Sequence, residues 1–186
     1  MLDLHLHPLG GDDPEPAVEI DLAPSRADGL ASAHGGQDGP PCVYVIDWEA
    51  VELGAGSLDK WFKGVIDRHM KFGQNARAGA WPIYIENQAL GELLLAKFPG
   101  YTQEIPAARV ALGKDLRALA ADRRINGGVV RLTAGTFDKT SRLKGVIRNH
   151  LVSQISGFRA GDKEAWKRSD DLVDALVYGV LQSFGE

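Results

Sequence analysis

Ala17-Val18-Glu19-Ile20-Asp21-Leu22-Ala23 alternates apolar and polar residues and then meets Pro24-Ser25, which predicts a short strand with an acid, Asp21, at its end. A weaker extended stretch follows over 30–34, and Gly35-Gly36-Gln37-Asp38-Gly39-Pro40-Pro41 is a strong turn. Residues 42–53, with Val43, Val45 and Ile46 among aromatic residues, predict a longer strand. Three strands joined by turns therefore come first. Ser57 then offers an N-cap, and Leu58, Trp61, Phe62, Val65, Ile66 and Met70 recur at helical spacing to about Phe72, before the Gly73–Gly79 break. Trp81-Pro82-Ile83-Tyr84-Ile85 predicts a short buried strand that again has an acid, Glu86, at its end. Helices are expected over 87–98 and 109–124, a strand over 129–133, and helices over 139–158 and 167–184. A meander followed by alternating helices and strands predicts an α/β sheet with both faces covered.

The chain has 186 residues, 44% of them hydrophobic, enough to bury one sizeable core. Residues 1–16 hold Gly10-Gly11, three prolines and four acids, and read as a flexible acidic tail or linker, leaving 17–186 as a single domain. No apolar run approaches the roughly 20 residues of a spanning helix, and no basic-then-apolar leader opens the chain, so a soluble, cytoplasmic protein is expected. The single cysteine, Cys42, excludes an internal disulfide framework and reads as a small buried residue at a strand start.

The net charge of −4 is unevenly spread. Residues 1–50 carry ten acids and one base, whereas 109–168 carry fourteen bases and five acids. A phosphate-tracking surface beside an acidic metal pocket produces such an asymmetry, and so does an ordinary solvated helix face.

Three groups of acids stand out by position: Asp21, Glu86, and Asp170, Asp171 and Asp174 at the start of the last helix. Strand ends on one edge of a sheet are where α/β proteins build sites. On a helix, Asp174 lies one turn from both Asp170 and Asp171, so pairs of these carboxylates share a face. Hard oxygen ligands suit Mg2+ or Mn2+, and two such ions can activate a water and stabilise the leaving oxygen of a phosphodiester. Acids at a helix N-terminus are also favoured by the macrodipole alone. Asp47, which likewise follows an apolar run, reads as structural, because two further strands and a helix have to fit between the first acid and Glu86.

Four segments, in this order, resemble the nuclease domain of phage terminase large subunits. Glu19-Ile20-Asp21-Leu22-Ala23-Pro24-Ser25 is similar to the family's first-strand acid motif, and Ile85-Glu86-Asn87-Gln88-Ala89-Leu90-Gly91 to its acid, Asn and Gly motif. Asp138-Lys139-Thr140-Ser141-Arg142 resembles its Asp-Lys-x-x-Arg segment, and Asp170-Asp171-Leu172-Val173-Asp174-Ala175 its C-terminal signature, the most specific of the four. The resemblance spans 17–181. It implies a ribonuclease H-like mixed sheet, with strands 1–3 antiparallel and later strands parallel, helices on both faces, and endonucleolytic cutting of concatemeric DNA during genome packaging in a bacterial host.

The implied site has Asp21 bridging two Mg2+ or Mn2+ ions, Glu86 and Asp170 or Asp171 each holding one, and Asp174 as ligand or support. Lys139, Arg142 and Arg148 would follow the backbone of double-stranded DNA. The implied partners are the terminase ATPase domain, the small terminase subunit and the portal, with no membrane. The chain departs from the family in carrying no G-x-x-x-x-G-K-[ST] phosphate loop, and Ser169 stands where a His or similar residue is expected. Two other readings remain: a junction resolvase or transposase-type nuclease of the same fold, and a non-catalytic interaction module in which the acids are caps.

His5-Leu6-His7 has the H-x-H spacing that opens metal-dependent amidohydrolases, sharpened by Asp3, but such barrels run to about 250 residues and need later histidines in suitable places. His34, His69 and His150 do not supply them; His69 and His150 are expected on helix surfaces or interfaces. Trp48, Trp61, Trp81 and Trp166 read as core or rim aromatics, with Trp166 in a basic segment the one candidate for stacking on a base.

Overall fold

The computed structural model describes residues 2–6, 16–24, 42–54, 56–75, 82–88, 90–162 and 170–185. Its main sheet has six strands: β1 (Leu2–Leu6), β2 (Pro16–Pro24), β3 (Val43–Glu52), β4 (Ile83–Ile85), β5 (Thr102–Glu104) and β6 (Val130–Leu132). Their spatial order is β5-β4-β1-β2-β3-β6. β2 lies between β1 and β3 and runs antiparallel to both, while β4 joins β1, β5 joins β4 and β6 joins β3 in parallel. The architecture is mixed α/β.

That order corrects the expected one. Residues 2–6, assigned to a tail, form a strand in the middle of the sheet, so the strand around Asp21 does not flank the strand that ends at Glu86. Leu2, Leu4 and Leu6 alternate with Asp3 and His5, but five residues are too few to announce a strand without the two partners that complete its hydrogen bonds. The extended stretch expected over 30–34, His34, Trp81 and Trp166 lie outside the described residues.

β3 carries a bulge. Its pairing with β2 jumps from Asp21–Asp47 to Leu22–Val45, skipping Ile46. The extra residue reverses the alternation, so Val43 and Val45 before it and Trp48 and Ala50 after it enter the same core. The Val45 carbonyl at the bulge accepts from the Thr133 amide and from Thr136 Oγ1, each at 3.1 Å. Thr133 in turn N-caps the short α5 (Ala134–Asp138).

Helices cover both faces. α1 (Leu58–Asn75) and α2 (Leu90–Lys97) bring Phe62, Val65, Ile66 and Leu94 against Ile83 and Ile85 of β4. Across the sheet, α7 (Asp171–Phe184) meets β1, β2 and β3, and packs with α4 (Lys114–Asn126) and α6 (His150–Gly157). Every residue from Asp171 to Leu181 is buried, as for a helix sandwiched between a sheet and other helices. Gly185, at φ 72°, ends it in the left-handed conformation.

Two predicted helices break. The one expected over 109–124 divides into α3 (Ala107–Ala111) and α4, because Gly113 adopts φ 73° between them. The one expected over 139–158 is a hairpin followed by α6: β7 (Ser141–Leu143) and β8 (Val146–Arg148) pair antiparallel around Lys144 and Gly145, at φ 47° and 77°. Two successive positive φ values make the tight turn that suits the twist of a two-residue hairpin. Helix α1 also extends into the expected break, to Asn75, with Gly73 buried in its last turn. Trp48 is fully buried, as the core reading expects, whereas His69 and His150 are buried rather than on the surface. Cys42, just before β3, is half-buried.

Candidate functional site

Three carboxylates are almost wholly withdrawn from water: Glu86 at 6% exposure, Asp171 at 6% and Asp174 at 4%. Burying a carboxylate is costly unless charge or hydrogen bonds compensate it, so each position requires a built environment. Tyr84 sits in the cluster that holds Tyr178 and Ile105, opposite to Ile83 and Ile85, and Glu86 follows two residues later on the same side as α7. Tyr178, one turn past Asp174, thus packs the middle of α7 against Tyr84 of β4.

The Glu86 loop explains the Gly of its motif. Gln88 Nε2 donates to Glu86 Oε1 at 2.9 Å, and the Gly91 amide donates to the Gln88 carbonyl at 2.8 Å. A Cβ on Gly91 would overlap the Glu86 carbonyl oxygen and press on Ile85 Cγ2 at 3.0 Å. Only glycine lets α2 start this close to the strand end.

At α7 the acids meet cations that sequence reasoning did not single out. Lys114 Nζ lies 2.5 Å from Asp170 Oδ1 and 3.3 Å from Asp174 Oδ2. Arg117 Nη2 donates to Asp174 Oδ1 at 3.0 Å, its Nη1 donates to the Val110 carbonyl at 3.1 Å, and its guanidinium lies 4.4 Å from the Tyr178 ring centre. Both cations sit in the first turn of α4, about one turn apart, and so face α7 together. Burial works against the Lys114 ammonium, but Asp174, then Asp170 and Asp171, more than offset it and raise its pKa above 10.5. No local signal could have paired residues 56 or 57 positions apart; the only hint was that the basic stretch begins at 109.

Asp21 stands elsewhere in the register. It pairs with Leu2 of β1 and Asp47 of β3. Leu4 pairs with both Ile85 and Glu19, so Glu86 is level with the His5–Val18 position. The Asp21 backbone is then about 10 Å further along the strands and two strand spacings, about 10 Å, across. The place beside β4 belongs to β1, where Asp3 pairs with Tyr84. Asp47 is bound by Lys139, whose Nζ lies 2.5 Å from Oδ1 and 5.4 Å from the Trp48 ring centre.

The other proposed DNA contacts lie on the hairpin. Arg142 pairs with Ile147, and Ser141 with Arg148, so Arg142 and Arg148 fall on opposite hairpin faces. Arg142, Lys144, Val146, Ile147 and Arg148 are all exposed. The hairpin is anchored by buried His150, whose Nε2 lies 3.0 Å from the Ser141 carbonyl and 3.2 Å from that of Val146. Its ring meets Trp48 edge-on at 6.2 Å, and Arg148 Nε donates to Nδ1 at 3.4 Å.

Oxygen donors such as Glu86, Asp170, Asp171 and Asp174 suit a hard divalent ion by chemistry. By contact, two of them hold Lys114 and Arg117, and among the described residues no group of three or more His, Cys, Asp or Glu side chains is gathered around one point. Among the described residues no helix is long and apolar enough to cross a membrane. Compared with protein-family models, curated proteins and solved structures, the chain matches none.

Proposed function

We propose that this chain is a metal-dependent DNA endonuclease of the ribonuclease H-like type, resembling the nuclease domain of a terminase large subunit. The observation that carries the reading is the burial of Glu86, just after β4, and of Asp171 and Asp174 in the first turn of α7. Three withdrawn carboxylates are costly for a structural domain and useful to a site that takes up cations. An antiparallel β1–β3 unit followed by parallel strands, with helices on both faces, supports the same fold. Bound Mg2+ or Mn2+ would supply positive charge at the scissile phosphodiester; Glu86 and the α7 acids would hold it, and the exposed Arg142 and Arg148 would hold duplex backbone. Packaging partners, namely the ATPase domain, small subunit and portal, follow only if the terminase resemblance holds.

The test is plasmid cleavage with Mg2+ and Mn2+ by wild type, Glu86→Gln, Asp21→Asn and Asp3→Asn. Cleavage lost in Glu86→Gln and in one of the two strand variants supports the reading, and the register favours Asp3 over Asp21 as the sensitive position. Cleavage that persists in all three variants, or none by wild type in either metal, refutes it. The non-catalytic interaction module has one observation in its favour: Lys114 and Arg117 already neutralise Asp170 and Asp174.

A further inference from the structure

We propose that Phe137 and the exposed side of the β7–β8 hairpin form a binding surface for unpaired DNA bases, with the Phe137 ring as the place where a base stacks. The inference rests on the nuclease reading above and names the form of DNA that this surface prefers, single strands or frayed ends rather than closed duplex.

Phe137 is an exposed residue on a fixed backbone. It is 58% exposed, yet its amide donates to the Thr133 carbonyl at 3.0 Å and its carbonyl accepts from Asn149 Nδ2 at 2.7 Å. The Thr136 carbonyl before it accepts from Trp48 Nε1 at 3.2 Å and from Asn149 Nδ2 at 3.0 Å. Asn149 directly follows β8, so its side chain ties the end of α5 to the base of the hairpin. A ring carried on such a frame has little freedom to lose when a ligand covers it.

The hairpin adds apolar area and charge. Leu143, buried in the core with Trp48 and Leu151, holds it to the body, and His150 binds the Ser141 and Val146 carbonyls. Val146 and Ile147 stay 50% and 60% exposed, and Ile147 shares a face with Arg142, its partner in the register. Arg142, Lys144 and Arg148 are exposed, and among the described residues none of the three pairs with a carboxylate. One acid, Asp138, stands against them in the segment 137–148. The exposed leucines of the α3–α4 region, Leu112, Leu116 and Leu119, differ in this respect, since exposed Asp115 and Asp122 stand there beside Arg123. Exposed apolar side chains meet an excess of positive charge at Phe137 and the hairpin, and that excess complements a phosphate backbone.

The apolar part of the surface decides between forms of DNA. Phosphates attract cations in duplex and single strand alike. In a closed duplex the base faces are covered by their neighbours, so Phe137, Val146 and Ile147 would lie against backbone and gain little. An unpaired base offers its faces, and since every base has them, stacking on an aromatic ring requires no particular sequence. A positively charged surface that carries such a ring is the combination that holds single strands.

The experiment measures binding rather than cleavage. Fluorescence anisotropy, in EDTA to prevent cutting, follows the intact chain binding a labelled dT strand and a labelled duplex of equal length. The proteins are wild type, Phe137→Ala, Phe137→Leu and Phe137→Trp. Phe137→Ala and Phe137→Leu should each weaken binding to the strand about tenfold and to the duplex by less than about twofold, whereas Phe137→Trp should keep the wild-type affinity. Emission of Phe137→Trp should also be quenched by the strand more than that of wild type. A second measurement needs no variant: an abasic strand of the same length keeps the phosphates and lacks the bases, so wild type should bind it about tenfold more weakly than the dT strand. Equal affinity for the dT and abasic strands overturns the proposal, as does wild-type affinity for the strand in Phe137→Leu, or a loss of equal size on strand and duplex. Duplex binding by wild type without strand binding overturns it and leaves the nuclease reading standing. Absence of binding to either form overturns it together with the DNA contacts of that reading.

Discussion

The first turn of α7 and the β7–β8 hairpin both concentrate charge, but they place it in opposite surroundings. At α7 the carboxylates are buried and face Lys114 and Arg117 across a helix–helix contact. On the hairpin, Arg142, Lys144 and Arg148 are exposed, beside Val146 and Ile147 at 50% and 60% exposure. Charge taken out of water has to be compensated inside the fold, so altering one member of the α7 cluster disturbs the fold itself. Charge left in water is free to meet an outside partner and contributes little to stability. The two regions should therefore separate folding from binding when they are mutated.

The largest effect is expected at Arg117. Arg117→Met keeps much of the volume but leaves Asp174 without its buried guanidinium, and removing one partner of a buried pair costs about 3–5 kcal/mol. A loss of that size would take a large part of a domain's usual stability of about 5–15 kcal/mol. Urea denaturation checks it. A cost below about 1 kcal/mol would show that the pair is effectively solvated and that the contrast with the hairpin is wrong.

Next comes Gly91→Ala, which tests how firmly the Glu86 loop is seated. The new methyl group has to push back the Glu86 carbonyl, so a cost of about 1–3 kcal/mol is expected, together with displacement of the Glu86 side chain. Thermal melts give the first quantity and loss of Mn2+ response the second. A silent substitution would mean that the loop yields without affecting the site.

The hairpin should behave in the reverse way. Changing Arg142 and Lys144 to Ala is expected to alter stability by less than about 0.5 kcal/mol. If these side chains hold phosphates, the slope of log affinity for duplex DNA against log salt should fall by about one for each. Fluorescence anisotropy over a salt series measures this, and an unaltered slope would take the DNA track off the hairpin.

How far the sequence carries the structure follows the same contrast. Elements whose evidence is local were legible: the β-branched and aromatic run of β3, the helical spacing of α1, the run Ile83-Tyr84-Ile85 and the apolar length of α7 all form as read, within a few residues. Glu86 and the α7 acids were found because a strand end and a helix start mark themselves. What was missed depends on distant partners. β1 is a strand because β2 and β4 flank it, and Lys114 and Arg117 matter because α4 docks on α7. The hairpin was misread as a helix because Lys, Arg and Leu are all tolerated in helices, and only the Lys144-Gly145 turn marked the difference.

The smallest effect concerns protons, and its sign is fixed by the direction of the Lys114 shift. Burial lowers the pKa of Lys114, Asp174 and its neighbours raise it by more, and the net value in the folded chain stands above 10.5. A group whose pKa rises on folding binds its proton more tightly in the folded state. Its contribution is complete below the unfolded value and is lost as the pH climbs through the folded one. Wild type should therefore lose stability above about pH 10.5 in a limb that Lys114→Gln lacks. Other lysines and the tyrosines titrate in the same range, so the quantity to follow is the difference in urea midpoint between the two proteins. That difference should be flat from pH 7 to 10 and narrow from there towards pH 12. Solvent reaches 29% of the Lys114 side chain, which keeps the change small and makes it shrink further in high salt. A difference that stays constant through pH 12 would mean that the ammonium gains no more from Asp170 and Asp174 on folding than burial costs it. A difference that widens would mean that burial outweighs them, and Lys114 would then belong with the solvated charges of the hairpin rather than with the committed charges of α7.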